Sequence, residues 1–307
     1  MKIYLRFKGL AEPCTGDVVQ QNTVVREITK PIEKDVYRMS FIDGTSVTAS
    51  SEQVWTYYDL KHGKVHTADF ETLYNRASKK DLLTTYYDFK AMSEPFFFDV
   101  VKIPKIPPVI AGAFCSLKVK PQNRLPEEFL CLQESLGVAK ARLNKRNLIK
   151  YLQESWWNND KFIPSEAYIP DEIKYTTVAR RCEFLTAFFL NSGVPNAHKN
   201  RIYVKVPSKR LLNDLMWLIR SLGGQAILNM DSKLTIIPNE CVYSCLTGKL
   251  RWGLVNYDET LVPYKRLQKI EYLGKMSWSE IYTNNGEYMN EDFILIRGDY
   301  IGESEKG

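Results

Sequence analysis

The sequence predicts an α+β protein in which an all-β domain is interrupted by an α/β domain and then completed. Three observations carry this. Residues 1–95 alternate short β-prone runs with turn signals. Beyond the proline-broken stretch FFFDVVKIPKIPPV (96–109), apolar residues recur at helical spacing. From about residue 260 the period-2 alternation returns. The expected boundaries are 1–98 and 258–307 for the discontinuous β domain and 99–257 for the insert.

Each element follows from its own pattern. DVYRMSFIDGTSVTAS (35–50) is a hairpin, with alternating apolar residues on either side of Asp43-Gly44. VWTYYDL (54–60) continues as strand, and TADFETLYNRAS (67–78) reads as one short helix. The stretch 96–109 reads as a linker. PEEFLCLQESLGV (126–138), KRNLIKYLQESWW (145–157), TTVARRCEFLTAFFL (176–190) and SKRLLNDLMWLIRSLGG (208–224) carry i, i+3/i+4 apolar spacing. Ser208 is placed to cap the last of these and Gly223-Gly224 to stop it. Strands RIYVKVP (201–207), QAILNM (225–230) and KLTIIP (233–238) flank that helix. RLQKIEYLG (266–274), SWSEIYT (277–283) and EDFILIRG (291–298), with a turn at Asn285-Gly286, close the β domain.

A 44% hydrophobic and 12% aromatic chain of 307 residues has enough apolar content for two cores, which excludes a disordered polypeptide. No run reaches membrane-span length, and MKIYLRFKGLAEPC lacks the apolar core of a secretion signal. A soluble, cytoplasmic monomer with no membrane partner is the expectation. The six cysteines are scattered, as buried reduced thiols are. Cys241 and Cys245 form the closest pair in sequence, but no further pair or histidine follows at zinc spacing. No cofactor and no metal site are expected.

The net charge of +6 is uneven: residues 118–210 hold 17 Lys/Arg against 9 Asp/Glu, leaving −2 for the rest. Such a segment suits either a phosphate-facing surface or a solvated basic face. Lys118, Lys120, Arg124, Lys199, Arg201, Tyr203 and Lys205 are the candidates for nucleic-acid contact. Alternation in RIYVKVP puts Arg201, Tyr203 and Lys205 on one face and Ile202, Val204 and Val206 on the other. A polar strand face is the competing reading. Lys145 and Arg146 open a helix whose positive end suits a phosphate; a capped surface helix accounts for them equally. Arg180-Arg181 fits phosphate contact or salt bridges to Asp171 or Glu172. His62 and His66 sit four apart, but Gly63 and the β context place them on a turn or strand rather than on a metal-binding helix. Trp156-Trp157 reads as a buried helix anchor or a base-stacking pair.

The segment order resembles an intein: a Hint-type splicing domain interrupted by a LAGLIDADG homing endonuclease, over about residues 35–298. VYRMSFIDGTSVTASSEQVW is similar to the segment that carries the family's histidine. FLTAFFLNSG resembles the second endonuclease motif, PPVIAGAFCSLK the first, and KIEYLG with YMNEDFILIRG the intein C-terminus. The resemblance implies pseudo-two-fold αββαββ repeats, of which the first is eroded here. Only SLKVKPQNR and AKARLN stand where its strands belong.

The resemblance also implies a chemistry that these residues lack. Splicing needs an acyl-transfer nucleophile, a titrating histidine and a terminal His-Asn whose Asn cyclises. Cys14 stands near the expected nucleophile position, but Gln53 occupies the histidine position and cannot titrate. Arg297 and Gly298 occupy the terminal pair, and glycine has no amide to cyclise. The nuclease needs one acid at the end of each motif helix to hold a hard divalent cation. Those positions fall on Leu117 and Ser192, while Gly112 and Ala187 keep the small-residue contact. Glu183, the nearest acid, lies inside the motif helix and not at its end.

The implied function is a catalytically inactive, intein-derived protein that binds double-stranded DNA, with a phage or mobile-element setting by association. The alternatives are a protein-interaction module docking on a replication or transcription machine, and a divergent metal-dependent endonuclease.

Overall fold

The computed structural model describes residues 3–5, 9–17, 23–78, 87–90, 94–98, 104, 107–116, 167–229, 233–254, 264–284, 287–290 and 292–297. Strands β1 (Ile3–Leu5) and β2 (Gly9–Ala11) pair with each other. Next come β3 (Val25–Ile28) and the hairpin of β4 (Ile32–Phe41) and β5 (Ser46–Ser50). The hairpin turns where the alternation places it. Gly44 takes φ 80°, and the Asp43 carboxylate accepts from the Thr45 amide at 3.0 Å. β6 (Val54–Asp59), β7 (Lys64–Asp69), α1 (Phe70–Ser78) and β8 (Tyr87–Lys90) complete this run.

The middle of the chain holds α2 (Pro108–Ser116), α3 (Asp171–Lys174), α4 (Val178–Asn191), β9 (Val194–Asn196) and β10 (Arg201–Val204). It continues through α5 (Lys209–Ser221), β11 (Gln225–Leu228), β12 (Leu234–Ile237), α6 (Glu240–Ser244) and α7 (Gly248–Trp252). β13 (Tyr264–Trp278), β14 (Ile281–Thr283), β15 (Glu287–Met289) and β16 (Leu295–Arg297) close the chain. The class is α+β, with antiparallel sheets. The helices expected over 126–138 and 145–157, and the eroded first-repeat strands, lie outside the described residues. No described helix is long and apolar enough to cross a membrane.

β13 organises the larger sheet, whose order is β5-β4-β13-β8-β6-β7. It is one strand of 15 residues reaching Trp278, where the sequence pattern reads a run ending at Gly274 and a second beginning at Ser277. Register shifts follow Leu267 and Tyr272, and Gly274 takes φ 95° beside the second, so the strand bends without ending. Strands far apart in sequence therefore share one sheet and one core. Phe70 and Leu73 of α1 are fully buried there with Met39, Phe41, Trp55 and Leu267.

The second core lies between α2, α4 and α5 and the sheet β11-β12-β10-β9. Ser208 caps α5 as expected, accepting from the Leu211 amide at 3.1 Å, and Gly223 at φ 83° ends the helix region. Pro108 opens α2, where its missing N–H leaves no bond unmade. α2 and α4 pack backbone to backbone at Gly112. A Cβ there would collide with the Phe184 carbonyl oxygen and stand 3.2 Å from the Ala187 Cβ.

The stretch beginning at Phe96 is more than a linker. Phe96 and Phe98 are buried between the two cores with Phe293, and Trp217 stacks on Phe98 at 6.1 Å. Arg181 points into the same junction, away from Asp171 and Glu172. Its guanidinium donates to the Ser221 carbonyl at 2.8 Å, to the Ser221 hydroxyl at 2.7 Å and to the Phe96 carbonyl. No carboxylate pairs with it among the described residues, and burial lowers its pKa to about 10. Arg180 is exposed.

A second polar junction centres on Asp43. Lys265 Nζ lies 2.6 Å from its carboxylate, and Arg220 Nη2 donates to its carbonyl at 3.0 Å. Burial acts to raise the Asp43 pKa, but the Lys265 and Arg220 charges outweigh it and hold the group below the usual carboxylate range.

Two tests follow from this packing. Gly112→Ala lowers the unfolding free energy by about 3 kcal/mol, because backbone cannot yield as a side chain tip does; urea denaturation measures it. Asp43→Asn leaves buried Lys265 without its carboxylate and Arg220 with Asp292 at 3.9 Å, and costs about 3 kcal/mol at neutral pH. The folded-state pKa is depressed, so this stabilisation is complete above about pH 4 and lost as pH falls through the lowered value. The gap between wild type and Asp43→Asn accordingly narrows on acidification in urea titrations run at several pH values.

Candidate nucleic-acid interface

The outer face of the sheet β11-β12-β10-β9 follows from its register. Arg201 pairs with Asn196 and Tyr203 with Val194, while on the other flank Tyr203 meets Thr235 and Thr235 meets Ile227. The side chains between these turn inward: Ile202, Val204, Ala226, Leu234 and Ile236 are buried. Arg201 and Tyr203 are half-buried and Lys205 is exposed, as alternation requires. Lys199 is exposed at the end of a 3-10 turn (Ala197–Lys199), whose start is capped by Asn196 accepting from the Lys199 amide at 3.2 Å. Lys233, which the sequence reading omitted, sits with its ammonium 3.9 Å from the Tyr203 ring centre. Its place was legible, since Lys233, Thr235 and Ile237 alternate.

The face thus carries Arg201 and Lys205 on either side of Tyr203 along β10, Lys233 over the ring and Lys199 in the adjoining turn, with none of the four in a salt bridge among the described residues. Cations in general suit phosphate contacts and an aromatic ring suits a sugar or base contact. Lys118, Lys120, Arg124, Lys145 and Arg146 lie outside the described residues.

The α2–α4 seam ends in hydroxyls. Ser192, buried just past α4, donates through Oγ to the Ser116 carbonyl at 3.3 Å, and Ser116 Oγ donates to the Ala113 carbonyl at 2.6 Å. These bonds go to carbonyls in the last turn of α2. The position takes a hydrogen-bond donor, a role that an ionised carboxylate cannot fill. Leu117 lies outside the described residues. Among the described residues no three His, Cys, Asp or Glu side chains are grouped to hold a metal. Glu183 is exposed within α4.

The splicing-related positions stand on separate elements. Cys14 is exposed in a turn closed by Asp17, whose carboxylate accepts from the Cys14 amide at 2.8 Å. Gln53 lies between β5 and β6, its amide donating to the Val54 carbonyl at 3.3 Å. Arg297 ends β16 and pairs with Glu287, and Gly298 lies beyond the described residues. His62 occupies the turn after β6 with Nδ1 2.8 Å from the Asp59 carboxylate, and His66 lies on β7. The thiol pairing differs from the sequence spacing: Cys182 Sγ approaches Cys241 Sγ at 3.6 Å, across α4 and α6. That hydrogen bond, together with burial, raises the Cys241 pKa.

No protein-family model matches the chain, and no curated protein matches it.

If Ser192 only serves a helix end, Ser192→Ala costs about 1 kcal/mol of stability and changes nothing else. Thermal melts and duplex-binding titrations of the variant check both halves of that statement.

Proposed function

We propose that the chain is an intein-like protein with a LAGLIDADG-type insert, silent in splicing and in cleavage, that binds double-stranded DNA on the outer face of β9–β12. The observation that carries the reading is the set Lys199, Arg201, Lys205 and Lys233, without a salt bridge among the described residues, on and beside a strand face that bears Tyr203 and whose opposite side is core. Two further features support it. The β regions before and after the insert share one sheet, as the resemblance requires of a discontinuous domain. The small-residue seam persists at Gly112 and Ala187, while a hydroxyl stands at the end of the second motif helix. Splicing silence rests on Gln53, Arg297 and Gly298, none of which supplies the proton transfer or the cyclising amide.

A docking role toward a protein partner is the second reading. Ile32 and Met276, at the far end of the β4–β13 ribbon and both about half-exposed, favour it.

Fluorescence anisotropy with a random duplex tests the first reading. Affinity falls with salt by about 0.9 log unit per log salt for each phosphate neutralised. The double variant Arg201→Ala, Lys205→Ala flattens that slope by about 0.9 per cation removed. Undetectable duplex binding at low salt sinks the reading, and chelator-sensitive cutting of the duplex in magnesium sinks its claim of silence.

A further inference from the structure

A cleft of about 410 Å³ lies where the sheet face meets the β domain. One wall comes from the 3-10 turn, β10, β11 and the end of β12; the other comes from the β4–β5 turn, β8 and β13. Four cations line it, and they are not equivalent. Lys265 lies 2.6 Å from the Asp43 carboxylate, and Arg266 makes two bonds to Asp88, at 3.0 and 3.2 Å. Lys199 and Arg201 have no carboxylate partner among the described residues, so the cleft keeps an uncompensated positive charge on its sheet side.

The rest of the lining mixes polar Asn200, Gln225 and Asn239 with apolar side chains. Ile42 in the β4–β5 turn is about half-exposed, and it faces the cleft with Ile227 and Ile237. The Ile42 wall is held in place by its amide, which donates to the Arg266 carbonyl at 3.0 Å. On the opposite side the Asn200 side-chain oxygen is out of solvent with no donor among the described residues, on a residue at φ 48°. A protein gains nothing from an orphaned acceptor. The volume lies in the range of small-ligand sites, about 300–1,000 Å³. Cations without a carboxylate and an unmet acceptor on the sheet side, with apolar Ile42 facing Ile227 and Ile237 across the cleft, match the chemistry of a nucleotide.

We propose that this cleft binds a phosphate-bearing ligand of nucleotide size, with Lys199 and Arg201 holding the phosphate and Ile42 and Ile237 enclosing the base. Two sources offer that chemistry: one nucleotide unit of a DNA strand lying on the sheet, or a free nucleotide. The strand source rests on the DNA-binding reading, whereas the free source does not.

The test places a carboxylate in the cleft from each wall in turn, Ile42→Glu from the β-domain side and Gln225→Glu from the sheet side. Wild type, Ile42→Glu and Gln225→Glu are titrated at low salt with inorganic phosphate, deoxyadenosine monophosphate and a random duplex, with Lys275→Ala, exposed on β13 and outside the cleft, as the control. Isothermal titration calorimetry should show the mononucleotide binding more tightly than phosphate. Ile42→Glu should weaken it by about tenfold or more, because a like charge then faces the phosphate at low dielectric. Lys275→Ala should leave mononucleotide binding unchanged.

Duplex binding weakened by Ile42→Glu, without mononucleotide binding, assigns the cleft to a strand. Mononucleotide binding without duplex binding keeps the cleft and removes the DNA reading. Duplex binding that ignores Ile42→Glu and Gln225→Glu, with no mononucleotide bound, overturns the cleft and leaves the DNA reading standing. No binding of either overturns both. Ile42 is half in solvent, so its variant should keep the wild-type melting temperature; if it does not, Gln225→Glu on the other wall decides.

Discussion

The pairing of β13 with β4 on one side and β8 on the other constrains everything else in the molecule. A strand beginning at residue 264 lies between strands that end by residue 90, so the chain between them leaves and re-enters a single sheet. Closing a loop of that length costs little more than closing a shorter one, because the entropy grows only logarithmically. The long β13–β4 ladder and the buried Leu267 and Phe41 beside it are what repay the closure. Once the ends are fixed, the inserted core must sit beside this sheet. Its own sheet then faces the β4–β5 turn, and the cleft is the space between them.

Two unlike contacts hold that arrangement. Arg181 is a buried cation that uses carbonyls and a hydroxyl in place of a carboxylate, which keeps the Phe96 segment and the end of α5 in one hydrogen-bonded unit. Phe98, on which Trp217 stacks, covers it with aromatic surface, its ring centre 5.1 Å from the guanidinium carbon. Asp43 is the converse, a carboxylate shared by a cation from each side, Lys265 of the sheet and Arg220 of α5. Apolar contacts alone tolerate sliding. A buried ion network tolerates little, because any shift leaves a charge desolvated and unpaired. The cleft walls are therefore fixed relative to one another.

What the sequence made legible was local. The Asp43-Gly44 hairpin, the Ser208 cap, the Gly223 stop and the alternation of Arg201, Tyr203 and Lys205 all follow from short-range rules, and all stand in the structure. What it hid was tertiary. Phe96 and Phe98 read as part of a proline-broken connection because prolines mark where regular structure stops, not where burial stops. Arg181 read as a surface charge because its partners are backbone carbonyls, which carry no sequence signal. Cys182 and Cys241 are 59 positions apart, so spacing favoured the Cys241–Cys245 pair instead. The cleft residues of the β domain, Ile42 and Arg266, had no motif; only the return of β13 brings them to the sheet.

The seam at Gly112 shows how packing and chemistry separate. The collision that a Cβ would make with the Phe184 carbonyl is a backbone constraint, independent of what stands at the helix ends. Those ends answer to a different requirement, the hydrogen bonds of the last carbonyls. Ser192 meets it by donating to the Ser116 carbonyl, a bond that joins the ends of the two helices. An acid at Ser192 would face that carbonyl oxygen with no proton to give, and would need a cation between them. The hydroxyl removes the need for the cation. The two helix ends are thereby joined directly, through a hydroxyl and a carbonyl.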